Sequence, residues 1–345
     1  MSAPAAGPRI VLMPDSGPAA GLGHVSRCLA LGAAAGALGA RVSLLAGEDA
    51  RAAGLVPAAG IETLAVAGTV TAADALEGLR GAAADVVVVD SYRASPEFFV
   101  SLRSAAAQVV AVDDLADRPL PVDVVINGGV AAETLPYRRA TGTRFLLGPR
   151  YALLDPRYAA APTPRGAARV GRVLVSLGGG RHEARLLPVL AALDAALDGV
   201  DVDVVVGRGG DGPRLAAAAR ASRNRVAIHA DAAGLRELIE AADLAISGAG
   251  MTLYELAATA TPTVMVCMAD NQRPNVEAFE RAGAALAAGE RGDPGLFAVL
   301  RSALLRLAAD GGLRATLGAR GRALVDGQGA ARVARAITDP VVSFR

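Results

Sequence analysis

The sequence predicts an α/β protein built from two doubly wound parallel-sheet domains, and three observations carry that reading. Short apolar, β-branched runs alternate with alanine-rich helical stretches along almost the whole chain. The alternation breaks once, over residues 148–168 (GPRYALLDPRYAAAPTPRGAA), and then restarts. The two halves also open alike, with RIVLM and RVLVSL each leading through a glycine-rich loop into a helix. A chain of 345 residues with 52% hydrophobic content has room for two such cores. The expected division is an N-terminal domain over 1–150, a linker over 151–168 and a C-terminal domain over 169–328. A last helix within 329–345 is expected to pack back on the N-terminal domain.

Taken in order, Arg9–Met13 reads as a strand, followed by the loop PDSGPAAGLG and a helix over His24–Leu38 that Gly39 ends. Arg41–Ala46 is the next strand. Asp85–Val89 (DVVVV) is a continuous apolar run of the kind buried on both faces of a parallel sheet, and Asp90, Ser91 and Tyr92 sit at its end. Gln108–Val112 ends in Asp113 and Asp114, and Val122–Ile126 ends in Asn127, which gives about five or six strands in this half. In the second half, strands are expected at Arg172–Leu177, Asp203–Val206, Arg225–His229, Leu244–Ser247 and Thr263–Met268, with a helix over Glu183–Leu197. From Gly295 onward the chain reads as helices, over 296–307, 313–325 and 330–337.

Composition excludes several functions. A net formal charge of +1 with 20% charged residues leaves no strong field for nucleic acid or an anionic membrane. All 35 basic residues are Arg, so a Lys Schiff base and a GxxxxGK phosphate loop are both ruled out. Cys28 and Cys267 have no CxxC or Cys/His neighbourhood, which argues against zinc and against a disulfide framework. MSAPAAGPRI lacks the pattern of a signal peptide, and no uninterrupted apolar stretch reaches ~18 residues. The expectation is a soluble, cytoplasmic protein without a membrane span.

Candidate chemistry collects around Asp243–Gln272. A buried strand ends at Ser247, Gly248 and Gly250 allow a sharp turn, and Thr252 with Glu255 three residues on has the form of a capping box. Asp270, Asn271 and Gln272 follow the next strand at its carboxyl end, where open α/β sheets bind ligands. The turns Gly178–Gly179–Gly180 and Gly248–Ala249–Gly250 offer backbone N–H groups to a phosphate, and Glu255 offers a carboxylate to a ribose diol, beside its capping role. In the first half His24 begins a helix, where the dipole disfavours imidazolium and suits a general base. His182, beside Gly180 and Arg181, is a phosphate contact or a loop residue, and His229 reads as structural. Asp113, Asp114, Asp117 and Arg118 read as one loop salt-bridge cluster. Asp201-Val202-Asp203 imitates a metal-binding DxD but opens a strand at the wrong end for a site.

GLGHVSRCLALG, DSY at 90–92, DDLADR at 113–118, GPRYALLD at 148–155, VSLGGG at 175–180 and SGAGMTLYELAATATPTVMVCMADNQ at 247–272 occur in one order. Together they resemble the UDP-sugar hydrolase of pseudaminic acid biosynthesis and its spore-coat polysaccharide relatives, over about residues 9–290. The resemblance implies a GT-B fold, two Rossmann-like domains around a cleft, and a metal-independent cleavage of the anomeric C–O bond of a UDP-sugar, with no cofactor. Carried over by motif, His24 acts on the incoming water or hydroxyl, with Tyr92 and Asn271 near the sugar. Glu255 holds the ribose, and the turns at Gly178, Gly179 and Gly180 and at Gly248, Gly250, Met251 and Thr252 hold the diphosphate. Gly23, Arg27, Asp270 and Gln272 complete the nucleotide-sugar side. The sequence departs from the family in a longer loop before His24 and in Met251 where a Ser is usual, which leaves the acceptor open between water and an alcohol or amine. The alternatives are a true glycosyltransferase, a nicotinamide oxidoreductase suggested by Gly21, Gly23 and Glu48, and a binding protein of periplasmic type. The glycine spacing is wrong for GxGxxG, and the missing export signal argues against the last.

Overall fold

The computed structural model describes residues 7–15, 23–46, 61–65, 72–137, 142–162, 169–178, 183–207, 212–230 and 235–339. Two compact units make up the chain. Unit 1 is Met1–Ala159 together with Gly327–Arg345, and unit 2 is the intervening Ala160–Asp326.

Among the described residues, unit 1 is built on one parallel sheet of seven strands: β1 (Arg9–Pro14), β2 (Arg41–Ala46), β3 (Glu62–Ala65), β4 (Val86–Asp90), β5 (Gln108–Val112), β6 (Val124–Asn127) and β7 (Arg144–Leu147). Their spatial order is β3-β2-β1-β4-β5-β6-β7. The β4 run VVVVD is buried at every position because it feeds two cores. Val86 and Val88 join Ile10, Leu12 and Leu31 under helix α1 (Gly23–Gly36). Val87 and Val89 join Leu79 of α2 (Ala72–Ala82) and Phe99 of α3 (Pro96–Leu102) on the other face. Ser95 starts α3 by accepting the Phe98 N–H at 3.2 Å.

The first face is completed from far along the chain. The last helix, α11 (Gly329–Thr338), buries Ala330, Val333, Ala334 and Ile337 in the core of α1 and β1. Residues 151–159, expected as linker, belong to this unit, with Leu153, Leu154 and Tyr158 buried.

Unit 2 has a six-stranded parallel sheet of β8 (Arg172–Ser176), β9 (Asp201–Val205), β10 (Arg225–His229), β11 (Leu244–Gly248), β12 (Thr263–Cys267) and β13 (Leu286–Glu290), ordered β10-β9-β8-β11-β12-β13. Helices α4 (Glu183–Ala196), α5 (Pro213–Ala221), α6 (Leu235–Ala241), α7 (Met251–Ala258), α8 (Arg273–Arg281), α9 (Leu296–Ala309) and α10 (Gly311–Leu324) surround it. Leu186, Val189 and Leu190 of α4 and Leu300 and Leu304 of α9 close over Val173, Val175, Val204 and Ile246.

Three strands escaped the sequence reading: β3 (ETLA), β7 (RFLL) and β13 (LAAGE). All three are sheet edges, where one open side removes the need for a continuous β-branched run. The first sheet therefore has seven strands rather than about five or six. Strand β9 begins at Asp201 rather than at Asp203, so the DxD lies inside a strand. Buried Asp203 accepts from Arg172 Nε at 2.6 Å and lies 2.8 Å from His229 Nε2. Both sheets reverse their strand order once, between β1 and β4 and between β8 and β11. The carboxyl ends at such a reversal form the crevice in which doubly wound sheets bind ligands.

Candidate functional site

In unit 1 the crevice holds a charged cluster. His24, in the first turn of α1, is 4% exposed, and its Nδ1 lies 2.6 Å from Oδ1 of Asp90, the fully buried last residue of β4. A carboxylate only accepts, so this contact assigns the proton to Nδ1 and leaves the lone pair on Nε2. Nε2 has no hydrogen-bond partner among the described residues. Arg27, three residues on and on the same helix face, donates to both Asp90 oxygens, Nε to Oδ2 at 2.9 Å and Nη2 to Oδ1 at 2.8 Å. Nη2 also lies 3.1 Å from His24 Nδ1, but both atoms are donors, and the shared Asp90 oxygen takes both protons. The third nitrogen of the fork, Nη1, spans both oxygens of Asp114 at 2.9 and 2.7 Å. Tyr92 closes the ring of contacts. Its hydroxyl donates to Asp114 Oδ2 at 2.8 Å, and its ring meets His24 edge-on with centroids 4.7 Å apart.

Burial opposes the Arg27 charge, but Asp90 and Asp114 outweigh it and hold the guanidinium pKa well above its ordinary value. Burial would raise the Asp114 carboxyl, yet Arg27 and the Tyr92 hydroxyl bring it below its usual range. The Tyr92 phenol is pushed far up by burial and by Asp114, and burial, aided by Asp90, raises the Cys28 thiol. Each of these groups is therefore fixed in one protonation state at neutral pH.

Two further carboxylates shape the cluster. Asp15, just past β1, accepts from Ser91 Oγ at 2.8 Å, the Tyr92 N–H at 3.0 Å and the Arg93 guanidinium, which fixes the loop carrying Tyr92. Asp113 Oδ2 accepts the Ala116 N–H at 2.8 Å in a turn where Ala116 adopts φ 53°, and the neighbouring Asp114 is directed to Arg27. The single loop cluster expected at 113–118 is thus two systems. Asp113 and Asp117 lie 3.6 and 2.9 Å from Arg118, whereas Asp114 belongs to the His24 network. Asp90 is fully buried and paired. Asp90 and Asp114 were not among the candidate site residues because their partners, His24 and Arg27, come from helix α1, far away in the sequence. Their position at the ends of apolar strands was the available signal.

In unit 2, Gly178 follows β8 with φ 107°. Gly179, Gly180 and His182 lie outside the described residues, as do Gly21 and Glu48. Gly248 closes β11, and a Cβ there would meet the Leu177 carbonyl oxygen at 2.9 Å, so only glycine lets the two strand ends approach so closely. The capping box does not form. Helix α7 starts at Met251 with Gly250 as an extended N-cap (φ −94°, ψ −151°) and no side-chain cap. Thr252 is therefore already helical, and half-buried Glu255 lies at the start of the second turn rather than in the first. Asp270–Gln272 is a single 3-10 turn, not an open loop, and it runs into α8. Asn271 and Asp270 are exposed, the latter 3.2 Å from Arg273 Nη2. Gln272 Oε1 accepts the Ala249 N–H at 3.2 Å and the Met268 N–H at 3.0 Å. Asn275, which the sequence reading missed, donates to the Ala249 carbonyl at 2.9 Å and accepts from the Tyr254 hydroxyl at 2.8 Å. Two amides thus hold the 248–250 turn from the side of α8.

Among the described residues, no helix is long and apolar enough to cross a membrane. No family model matches the chain. The chain is 30% identical over 223 residues to the spore coat polysaccharide biosynthesis protein SpsG of Bacillus subtilis (strain 168), a stretch covering 63% of this chain and 65% of that protein. Among solved structures it is similar to MurG of Acinetobacter baumannii (TM-score 0.65, 16% identity, 96% of this chain and 99% of that one). It is also similar to the Streptomyces sp. SF2575 glycosyltransferase SsfS6 complexed with thymidine diphosphate (TM-score 0.58, 16% identity, 96% and 99%). At these identities the neighbours establish the fold, GT-B, with two Rossmann-like parallel-sheet domains.

Proposed function

We propose that this chain is a nucleotide-sugar-dependent GT-B glycosyltransferase in which His24 is the general base. The observation that carries the reading is the His24–Asp90 pair at a strand-order reversal: a buried carboxylate on Nδ1 and a lone pair on Nε2. In the proposed step Nε2 takes the proton of an acceptor hydroxyl or amine. The acceptor atom forms its bond to the anomeric carbon as the C1–O bond to the diphosphate breaks, and the electron pair leaves on the diphosphate oxygen. Asp90 holds the ring and stabilises the imidazolium that results.

Unit 2 is assigned the donor, taken to be a UDP-sugar. The turns at Gly178–Gly180 and Gly248–Thr252, with the start of α7, take the diphosphate, and Glu255 takes the ribose. Asn271 is assigned to the sugar. Backbone N–H groups and the helix dipole supply charge stabilisation, so no metal is required in this reading. Hydrolysis, the first expectation from the resemblance, has less support than transfer. The curated relative is by name a polysaccharide biosynthesis protein, and fold neighbours bear glycosyltransferase names.

The test is UDP release from UDP-acetamido-sugars with and without a pool of sugar and amine acceptors, each with and without EDTA. Turnover that needs an acceptor and ignores EDTA is expected. Release in water alone would return the reading to hydrolysis, and no release under any condition would overturn nucleotide-sugar chemistry.

A further inference from the structure

We propose that Asp114 is a positioning residue for His24, acting through Arg27 and Tyr92 to set the charge and the orientation that the imidazole meets. The proposal rests on the reading of His24 as a base only for its kinetic consequence; the geometry stands without it.

Arg27 alone would neutralise Asp90. Two of its nitrogens go to that carboxylate, and a one-to-one pair would leave a protonated His24 with no counter-charge in a buried site. Asp114 changes the balance by occupying the third nitrogen with both oxygens. Two carboxylates against one guanidinium leave the cluster with one net negative charge, and the proton that His24 accepts cancels it. The network is charge-balanced only in the state a general base reaches after it has acted.

The other groups facing His24 do not upset that count. Tyr92 and Cys28 are held protonated and neutral, Asp15 is bonded to Arg93, and Asp113 lies against Arg118, whose second carboxylate, Asp117, is exposed and screened by solvent. The first-turn backbone of α1 opposes the imidazolium, which makes a surplus carboxylate more necessary. Orientation follows from the same residue, since the Tyr92 hydroxyl is anchored on Asp114 while its ring lies edge-on to His24. The turn of Asp113 and Ala116 holds Asp114 in place from behind.

The experiment is a proton NMR titration of the His24 ring, assigned by His24→Gln among the three histidines of the chain. It is run on wild type, Asp114→Asn and Arg27→Gln, each checked for a native amide spectrum. Removing the surplus carboxylate should move the His24 midpoint down in pH by about half a unit or more, and removing the guanidinium should move it up by a similar amount. Asp114→Glu should restore the wild-type midpoint. With a nucleotide sugar as substrate, Asp114→Asn should shift the acid limb of kcat/KM the same way and lower kcat with little change in donor KM. An unmoved midpoint in Asp114→Asn, or shifts of the same sign in both charge variants, would overturn the proposal. If Arg27→Gln does not fold, the Asn and Glu variants of Asp114 decide it by loss and restoration. Opposite shifts in a protein that turns over no nucleotide sugar would uphold the network and remove only the reading of function.

Discussion

His24 and Asp90 stand 66 positions apart and meet because β1 and β4 are parallel neighbours. The histidine was legible as the start of a helix after a glycine loop. Its partners were not, because which strand lies beside which is decided by packing rather than by any local run of residues. Asp90→Asn keeps the shape of the side chain but presents an amide to Nδ1, so the wrong tautomer is favoured; kcat should fall roughly 10²–10⁴-fold with donor affinity retained. His24→Ala should lose a similar factor while still binding UDP, measured by calorimetry. The charged residues also fix the acid side of the stability curve. Asp114 and Asp203 are both held below the usual carboxylate range, against burial, by Arg27 in one case and by Arg172 and His229 in the other. A depressed carboxylate contributes fully above its unfolded value, about pH 4, and that contribution is lost as pH falls through the folded value. Urea midpoints should therefore drop more steeply below pH 4 in wild type than in Asp203→Asn.

The central strands could be read directly from their apolar, β-branched runs because each must fill two faces. The edges β3, β7 and β13 could not, since they are short and fill less of the core. The start of α7 shows a different failure. Thr252 and Glu255 have the spacing of a cap, but Gly250 takes the N-cap position two residues before Thr252, and Gln272 and Asn275 hold the preceding turn from another element. Replacing Gln272 by Ala leaves the Ala249 and Met268 N–H groups without that acceptor, which should cost about 1–3 kcal/mol of unfolding free energy in urea titrations. If the turn holds diphosphate, the same change weakens UDP binding. A stability loss with unaltered UDP affinity would separate the turn from the nucleotide.

At the scale of the molecule, the two halves repeat one plan: a parallel sheet whose order reverses once, with the residues of interest at the reversal. The sequence announced this repetition by opening both halves alike. The return of the last helix was expected from fold resemblance, and the physical basis lies in α11: Val333 and Ile337 are buried against α1, and a Cβ on Gly329 would come within 2.2 Å of the Ala152 carbonyl oxygen. Gly329→Ala and Ile337→Ala should each lower the thermal midpoint, the latter by the equivalent of about 2–5 kcal/mol.

That helix also sets an order of events as the chain leaves the ribosome. Domains generally fold as units during synthesis, first from the N-terminus. Here the N-terminal sheet emerges first but lacks one wall of its core until residues 327–339 have been made. The inserted unit, continuous from 160 to 326, has all of its own strands before then. The first half of the chain to be synthesised is thus the second to be finished, and its apolar α1 face waits uncovered through the translation of the other.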